Sequence, residues 1–302
     1  MSMNSKITLF LKGLAMGAAD ILPGVSGGTI ALITGIYEEL VESIKNINIK
    51  LFRSLFKAGF KSFWKDLNGN FLLTIALGIL SSVLLLSRFI TYLLVNHEFK
   101  LWGFFFGLIL FSGILILRQV KETTISYLII GIFIASLISL IGPTTTPENY
   151  FFIFFSGSIA ICAMILPGIS GSFILLLLSK YEFILNAINE LKIDILLVFS
   201  IGCLFGLLLF SRFLSYLFHN YKDYVLSILA GLLFGSLIKI WPFREIAESR
   251  VNSEGVAEPF ITRPTLPSLD NIEEILYFLI FSLIGSMLIS FLQKKSLEDN
   301  KE

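Results

Sequence analysis

Charged residues, cysteines and histidines are scarce in this sequence. Only 15% of its 302 residues are charged, whereas about one quarter of a typical soluble domain is. The two cysteines, Cys162 and Cys203, lie in apolar runs, which indicates small core residues rather than a disulfide framework or a metal site. The chain has no paired histidine–glutamate motif and no nucleotide-binding loop, so we expect no metal, no cofactor and no ATP-driven step. A net charge of +1 provides no basic field, so nucleic acid is not an expected partner.

Long apolar runs are what the sequence has in abundance. Hydrophobic residues make up 55% of the chain, and 30 residues are phenylalanine. A helix needs about 20 apolar residues to cross the hydrocarbon of a bilayer. Several runs reach that length, which predicts an all-α integral membrane protein. The apolar segments fall at about 7–42, 71–95, 101–117, 125–142, 150–186, 195–217, 224–241 and 272–292.

Two of these segments contain helix-breaking residues at their centres. The first carries Pro23 and Gly24, and the fifth carries Pro167 and Gly168. Proline removes a backbone donor and glycine adds conformational freedom, so neither segment is expected to form one continuous helix. Irregular backbone at membrane depth requires protein or a wet cavity around it. We therefore predict two half-helices in each segment, arranged as a re-entrant hairpin.

The distribution of basic residues predicts the orientation of the six remaining spans. The loop between the first and second segments is rich in lysine and arginine and should be cytoplasmic, whereas 142–150 has neither residue and should be outside. Both termini are then cytoplasmic. The loop 242–271 falls outside in this arrangement, although it contains three arginines. We expect no cleavable signal peptide, because the glycine-rich pattern near the N-terminus recurs in the middle of the chain.

An amphipathic stretch at about 45–66 has two neighbouring rows of residues at a spacing of four. This pattern predicts a helix that lies on an anionic membrane surface, or one that only fixes the topology. The rows are Arg53, Lys57, Lys61 and Lys65, and Phe52, Phe56, Phe60 and Trp64.

The chain also contains an internal repeat. Residues 19–38 align with 163–182 without gaps, and they share Leu-Pro-Gly, Ser-Gly and Tyr-Glu in register. A second block, 86–89, aligns with 210–213 around a shared Ser-Arg-Phe. Each half, 1–148 and 149–302, then holds one hairpin and three spans. An odd number of crossings places the second half upside down, which predicts an inverted-topology repeat with a binding site between the halves.

The two breaks and two intramembrane arginines are the candidate site for an anion. Backbone N–H groups and hydroxyls at a restarting helix suit a phosphate, although a break can also serve packing alone. Arginine within a span is costly and binds phosphate well, although it can also reach the membrane surface. The candidate phosphate-binding residues are Ser26, Gly27, Gly28, Thr29, Ser170, Gly171, Ser172, Arg88 and Arg212.

Three acidic residues near the breaks are candidates for proton coupling. They are Asp20, Glu38 and Glu182. An acid close to a cationic site is able to take up protons and link transport to a gradient. The alternative for Asp20 is a structural pairing with arginine, and the alternative for the two glutamates is a position in water at the ends of the hairpins.

With these motifs the sequence resembles a bacterial membrane family known as domain of unknown function 368. The resemblance rests on residues 13–31, GLAMGAADILPGVSGGTIA, and on residues 163–172, AMILPGISGS, and it covers nearly the whole chain. Members of that family are identified as translocases of undecaprenyl phosphate or other polyprenyl phosphates. The resemblance implies a transporter, not an enzyme, that returns this lipid carrier across the membrane during synthesis of the cell envelope.

Two other functions remain open at this stage, and a homo-oligomer is compatible with both. A membrane-embedded polyprenyl-pyrophosphate phosphatase also has inverted repeats with re-entrant segments, but its motif places an arginine beside the serine. Here Gly27 and Gly171 take that position. A transporter of small anions would have the same anion site.

Overall fold

The computed structural model describes residues 3–22, 24–121, 125–251 and 257–299. The described chain folds into a set of α-helices and one pair of antiparallel strands. The helices are α1 Met3–Asp20, α2 Gly27–Ile33, α3 Tyr37–Lys45, α4 Ile49–Asp66, α5 Gly69–Asn96, α6 Glu98–Leu117, α7 Ile125–Leu140, α8 Tyr150–Ile165, α9 Gly171–Leu177, α10 Tyr181–Asn189, α11 Ile193–Ile240 and α12 Ile272–Asp299, and the strands are β1 Arg244–Val251 and β2 Ala257–Pro264.

Four of the described helices are long and apolar enough to cross a membrane, namely α5, α6, α11 and α12. The pair α9 and α10, bent by 104°, counts as a fifth candidate. Helix α11 departs from helical geometry at Tyr221, so its 48 residues contain both of the predicted spans 195–217 and 224–241. The predicted span 125–142 corresponds to α7, an apolar helix of 16 residues. The chain is thus a multi-pass membrane protein.

Each broken segment forms three helices, and the prediction of two half-helices was wrong on this point. The first segment contains α1, α2 and α3, and the second contains α8, α9 and α10. Gly24 and Gly168 have φ values of 102° and 82°, a left-handed conformation that favours glycine. A second left-handed residue, Gly35 or Ser179, separates the last two helices of each set. Pro23 lies outside the described residues.

The internal repeat is visible in the bounds of the helices. Helices α2 and α3 recur 144 positions later as α9 and α10 with the same lengths, 7 and 9 residues. The end of α5 is followed by His97 (φ −141°, ψ 44°), and Tyr221 within α11 has almost the same dihedral angles (φ −141°, ψ 40°). The two halves of the chain therefore repeat local backbone geometry as well as sequence.

Glycines allow the backbones of neighbouring helices to approach closely, and two of these contacts join a helix of the first half to a helix of the second. A side chain at Gly107 of α6 would overlap the carbonyl of Ser282 in α12. The equivalent Gly231 of α11 faces the carbonyl of Leu128 in α7. Helix α6 of the first half therefore packs on a helix of the second, and α7 of the first half packs on α11 of the second. Small residues at such contacts are typical of membrane helices.

The loop 242–271 contains the paired strands β1 and β2, which the all-α prediction did not include. Arg244 connects this pair to the end of α11. Its guanidinium donates to the carbonyls of Ile238 (2.9 Å) and Lys239 (3.0 Å) and to the hydroxyl of Thr262 (2.9 Å). A cation that binds the last carbonyls of a helix stabilises its C-terminal end.

The amphipathic stretch forms helix α4, as predicted, but the helix is interrupted. Gly59 has φ 81° and ψ 172°, so the aromatic row does not continue along one straight face. Phe52 instead meets Phe63 across the interruption, with ring centroids 6.2 Å apart. Phe56 is 87% exposed, as expected for a side chain that faces lipid rather than the protein interior.

Candidate functional site

The two helix breaks lie against each other in the interior of the protein. The Ser26 hydroxyl is within donating distance of two carbonyls of the second break, those of Met164 (2.9 Å) and Leu166 (3.2 Å). In the opposite direction, the N–H of Gly168 donates to the Thr29 hydroxyl over 2.9 Å. Ser26 and Thr29 have no exposed surface. The hydroxyls of the first break therefore hold it to the backbone of the second.

This contact requires a residue without a side chain at Gly28. A Cβ atom at this position would overlap the carbonyl of Ile165, the last residue of α8. Any larger residue would have to push the second break away, because backbone cannot yield as a flexible side chain does. The second glycine of Ser-Gly-Gly is thus explained by the close approach of two backbones.

The N–H groups at the start of α2 are already bound within the protein. The Asp20 carboxylate accepts from the N–H of Gly27 over 2.7 Å, and the Ser26 hydroxyl accepts from the N–H of Gly28 over 3.1 Å. Asp20 therefore occupies the position in which the sequence predicted an external anion. Its predicted alternative, a structural pairing with arginine, does not occur among the described residues.

The second break bonds differently because it has other residues at three positions. Met164 stands at the position of Asp20, Ser172 at that of Gly28 and Phe173 at that of Thr29. Ser170 makes no capping bond to α9, and its hydroxyl instead pairs with that of Ser172 over 2.8 Å. Within the described residues, no side chain takes the role of Asp20 at Gly171. The second break therefore retains hydroxyl and N–H groups that a phosphate is able to use.

Lys239, which the sequence analysis did not single out, lies beside both breaks. Its ammonium is 4.0 Å from the centroid of the Phe173 ring, and a side chain at Gly24 would come within 2.9 Å of its Cγ atom. No carboxylate among the described residues pairs with it. A lone lysine near the end of an apolar run is typical of a membrane anchor, so no sequence pattern marks it as a ligand.

Arg88 and Arg212 do not reach the breaks through any hydrogen bond among the described residues. Both are exposed on α5 and α11. The guanidinium of Arg212 lies 3.4 Å from the carbonyl of Ile47, whereas Arg88 has no partner among the described side chains or backbone. Each arginine precedes the end of its straight helix by eight residues, a distance of about 12 Å at the rise of an α-helix.

Glu38 belongs to a charged cluster that joins α3 to α11. Its carboxylate is 2.6 Å from the ammonium of Lys222. Glu42, one turn further along α3, is 3.1 Å from Lys45 and bonds to the hydroxyl of Ser215. The cluster also contains His219, and Val41 and Phe218 complete the wall of a small cavity between the two helices.

The equivalent helices on the other side of the repeat are not joined in this way. Glu182 is exposed on α10, which packs against α9 and the start of α11 but has no comparable contact with α5. Lys180, just before α10, is 1% exposed and donates to the carbonyl of Thr146 over 2.8 Å. The two halves thus differ in whether their third short helix closes on the opposite half.

Comparison with known proteins finds a matching family model and similar proteins that share one described function. A family model described as undecaprenyl phosphate translocase-like matches residues 16–258. A polyprenyl-phosphate transporter of Vibrio cholerae is 48% identical over 264 residues, which cover 86% of each chain. A polyprenyl-phosphate transporter of Staphylococcus aureus is 34% identical over 253 residues, which cover 77% of this chain and 85% of that protein. No solved structure matches the chain significantly.

Proposed function

Because the chain belongs to the undecaprenyl phosphate translocase-like family, we propose that it moves polyprenyl phosphate, in particular undecaprenyl phosphate, across the bacterial cell membrane. The observation that carries this proposal is the contact between two buried, hydroxyl-bearing helix breaks. Polar groups at this depth are costly unless they serve a polar substrate or one another. The two named relatives are transporters, which supports a transport function rather than an enzymatic one.

The phosphate headgroup passes between the breaks while the polyprenyl tail stays in the lipid. Ser170, Gly171 and Ser172 receive the phosphate, because these groups are not tied to an internal carboxylate as those of the first break are. Ser26 and Thr29 hold the wall opposite. Gly27 and Gly28 complete that wall and allow the two backbones to approach closely.

Alternation between the two membrane faces follows from an inverted repeat. In this arrangement α3 closes on α11 at one face, while α10 stays apart from α5 at the other. Arg88, exposed and unpartnered among the described residues, is then the first cation that a headgroup meets at the open face. Arg212, close to α3, has the equivalent role once that face opens. Transporters with inverted repeats alternate by rocking one part against the other.

Proton coupling is assigned to Asp20, with Glu38 and Glu182 as secondary candidates. Asp20 holds the first break through Gly27, so a proton on its carboxylate would weaken this acceptor and release the start of α2. This role predicts that an Asp20→Asn variant transports equally well with and without a pH gradient, whereas the wild type responds to one.

The test is lipid flipping in proteoliposomes that contain a fluorescent polyprenyl phosphate. Wild-type protein should accelerate flipping, and the uncharged polyprenol analogue should not be moved faster than in empty liposomes. Arg88→Ala and Arg212→Ala variants at equal protein levels should flip more slowly. Flipping that equals the protein-free rate refutes the proposal. Release of phosphate from polyprenyl pyrophosphate would indicate a phosphatase, and transport of free phosphate alone would indicate a small-anion transporter.

A further inference from the structure

Lys239 is a cation that lies beside both helix breaks and that the repeat does not predict. Lys239 lies in the last turn of α11, and its ammonium is stacked on the Phe173 ring of α9 at 4.0 Å. Its equivalent position in the first half, 124 residues earlier, is Leu115. The positive charge is therefore present once, on the side of the second break.

The surroundings of Lys239 are those of a binding site rather than of a structural ion pair. No acidic side chain among the described residues neutralises it, and the neighbouring charge is a second cation, Arg244, which donates to the carbonyl of Lys239 over 3.0 Å. The Lys239 side chain is half-buried between Gly24 of the first break and Phe173 of the second. A half-buried ammonium without a counter-ion is costly unless an anion joins it.

The contacts also fix where the ammonium stands. Arg244 binds the last carbonyls of α11 and thereby holds the end of the helix. At Gly24 there is no side chain to displace the lysine, because that residue has a left-handed backbone and only hydrogen in place of Cβ. Phe173 directly follows Ser172 in the chain, so the ring against the ammonium belongs to the first turn of α9, the helix that begins at the second break.

We propose that Lys239 binds the phosphate group of the substrate at the second helix break. The ligand class is a phosphate monoester, supplied by a polyprenyl phosphate or by free phosphate. This inference deepens the function proposed above and rests on it for the identity of the lipid. Lysine acts here as a point charge with three donors, which allows the phosphate to turn during its passage.

The experiment measures binding of three ligands to purified protein in nanodiscs: polyprenyl phosphate, polyprenol and inorganic phosphate. Lys239→Met should weaken binding of polyprenyl phosphate by about 10- to 100-fold, the loss that corresponds to one charge-assisted hydrogen bond. Its binding of polyprenol should not change. Lys239→Arg should retain most of the affinity, because it restores the charge. Lys192→Met, which removes an exposed lysine at the start of α11, is the matched control and should bind as the wild type does.

The outcomes separate this inference from the proposed function. Equal affinity of Lys239→Met and wild type for polyprenyl phosphate would overturn the role of Lys239 while leaving lipid transport intact. Binding of inorganic phosphate that depends on Lys239, without binding of the lipid, would support Lys239 as a phosphate ligand and remove the lipid function. Loss of polyprenol binding in Lys239→Met as well, or a lowered melting temperature that Lys239→Arg shares, would show that the lysine is structural and overturn the inference.

Discussion

The charged cluster between α3 and α11 predicts how easily one face of the transporter opens. The perturbation is the double substitution Glu38→Gln and Glu42→Gln, which keeps the shape of both side chains and removes their charges. Glu38 loses its charge attraction to Lys222, and Glu42 loses its charge toward Lys45 and His219. No contact within a single half of the repeat is removed except the short-range pair on α3.

The size of the effect follows from the exposure of the groups. The Glu38 and Lys222 side chains are 48% and 54% exposed, so their pair contributes about 0.5 kcal/mol. Glu42 is less exposed and bonds to a buried hydroxyl, so its loss costs about 1 kcal/mol. Together these amount to about 1.5 kcal/mol, or roughly a tenfold higher population of the open state.

The assay uses a cysteine that only an open face exposes. Val41 is 1% exposed in the contact between α3 and α11, so a Val41→Cys variant should react slowly with a water-soluble maleimide. The native Cys162 and Cys203 are replaced by alanine to remove background reaction. Because labelling requires opening, the double glutamine variant should react about tenfold faster, in line with its larger open population.

The matched control is Glu190→Gln. Glu190 pairs with Lys192 over 2.7 Å, with 58% and 50% of the two side chains exposed, but this pair joins neighbouring residues of the same half. The control should leave the labelling rate at Val41→Cys unchanged. If the double variant reacts no faster than the wild type, or if the control reacts equally fast, the cluster does not hold this face closed.

Two further predictions use pairs of equivalent or adjacent positions. Ser26→Ala should lower the melting temperature, since a buried hydroxyl that bonds the second break contributes about 1 kcal/mol. Ser170→Ala should lower the melting temperature less and slow lipid flipping more; an equal decrease of the melting temperature in both variants would contradict the asymmetry of the breaks. A nitroxide in place of Phe56 should report the depth of the lipid headgroups in power-saturation spectra, whereas one in place of the neighbouring Lys57 should report water; the same depth at both positions would show that α4 does not lie on the membrane.

Much of the fold could be predicted from the sequence, because a lipid bilayer allows a chain only a few kinds of structure. The length of the apolar runs predicted the spans within α5, α6, α11 and α12, and the rows of residues at a spacing of four predicted α4. The left-handed residues Gly24 and Gly168 were also expected as helix breaks, since both follow a proline in an apolar run. The second interruption in each segment was missed, because one of its residues, Ser179, is not of a type that signals a left-handed turn.

The sequence singled out the residues of both breaks, but it did not predict which of their polar groups bond to one another. Repetition of Ser-Gly suggested two equivalent anion sites, whereas Asp20, which has Met164 as its counterpart, leaves the first break bound to an internal carboxylate. Which polar groups satisfy one another depends on distances between residues more than 130 positions apart, such as Thr29 and Gly168. Neither periodicity nor composition contains that information, and for the same reason the sequence did not single out Lys239.

The exchange of helices between the halves has a consequence for how the protein is made. Helix α6 enters the membrane long before its partner α12 has been synthesised, so the glycine-lined face at Gly103 and Gly107 at first meets only lipid tails. Small residues gain little from lipid and much from a close-fitting neighbour. The first half is therefore incompletely packed until the second half has been synthesised, and a chain truncated before Ile272 lacks the helix that covers this face of α6.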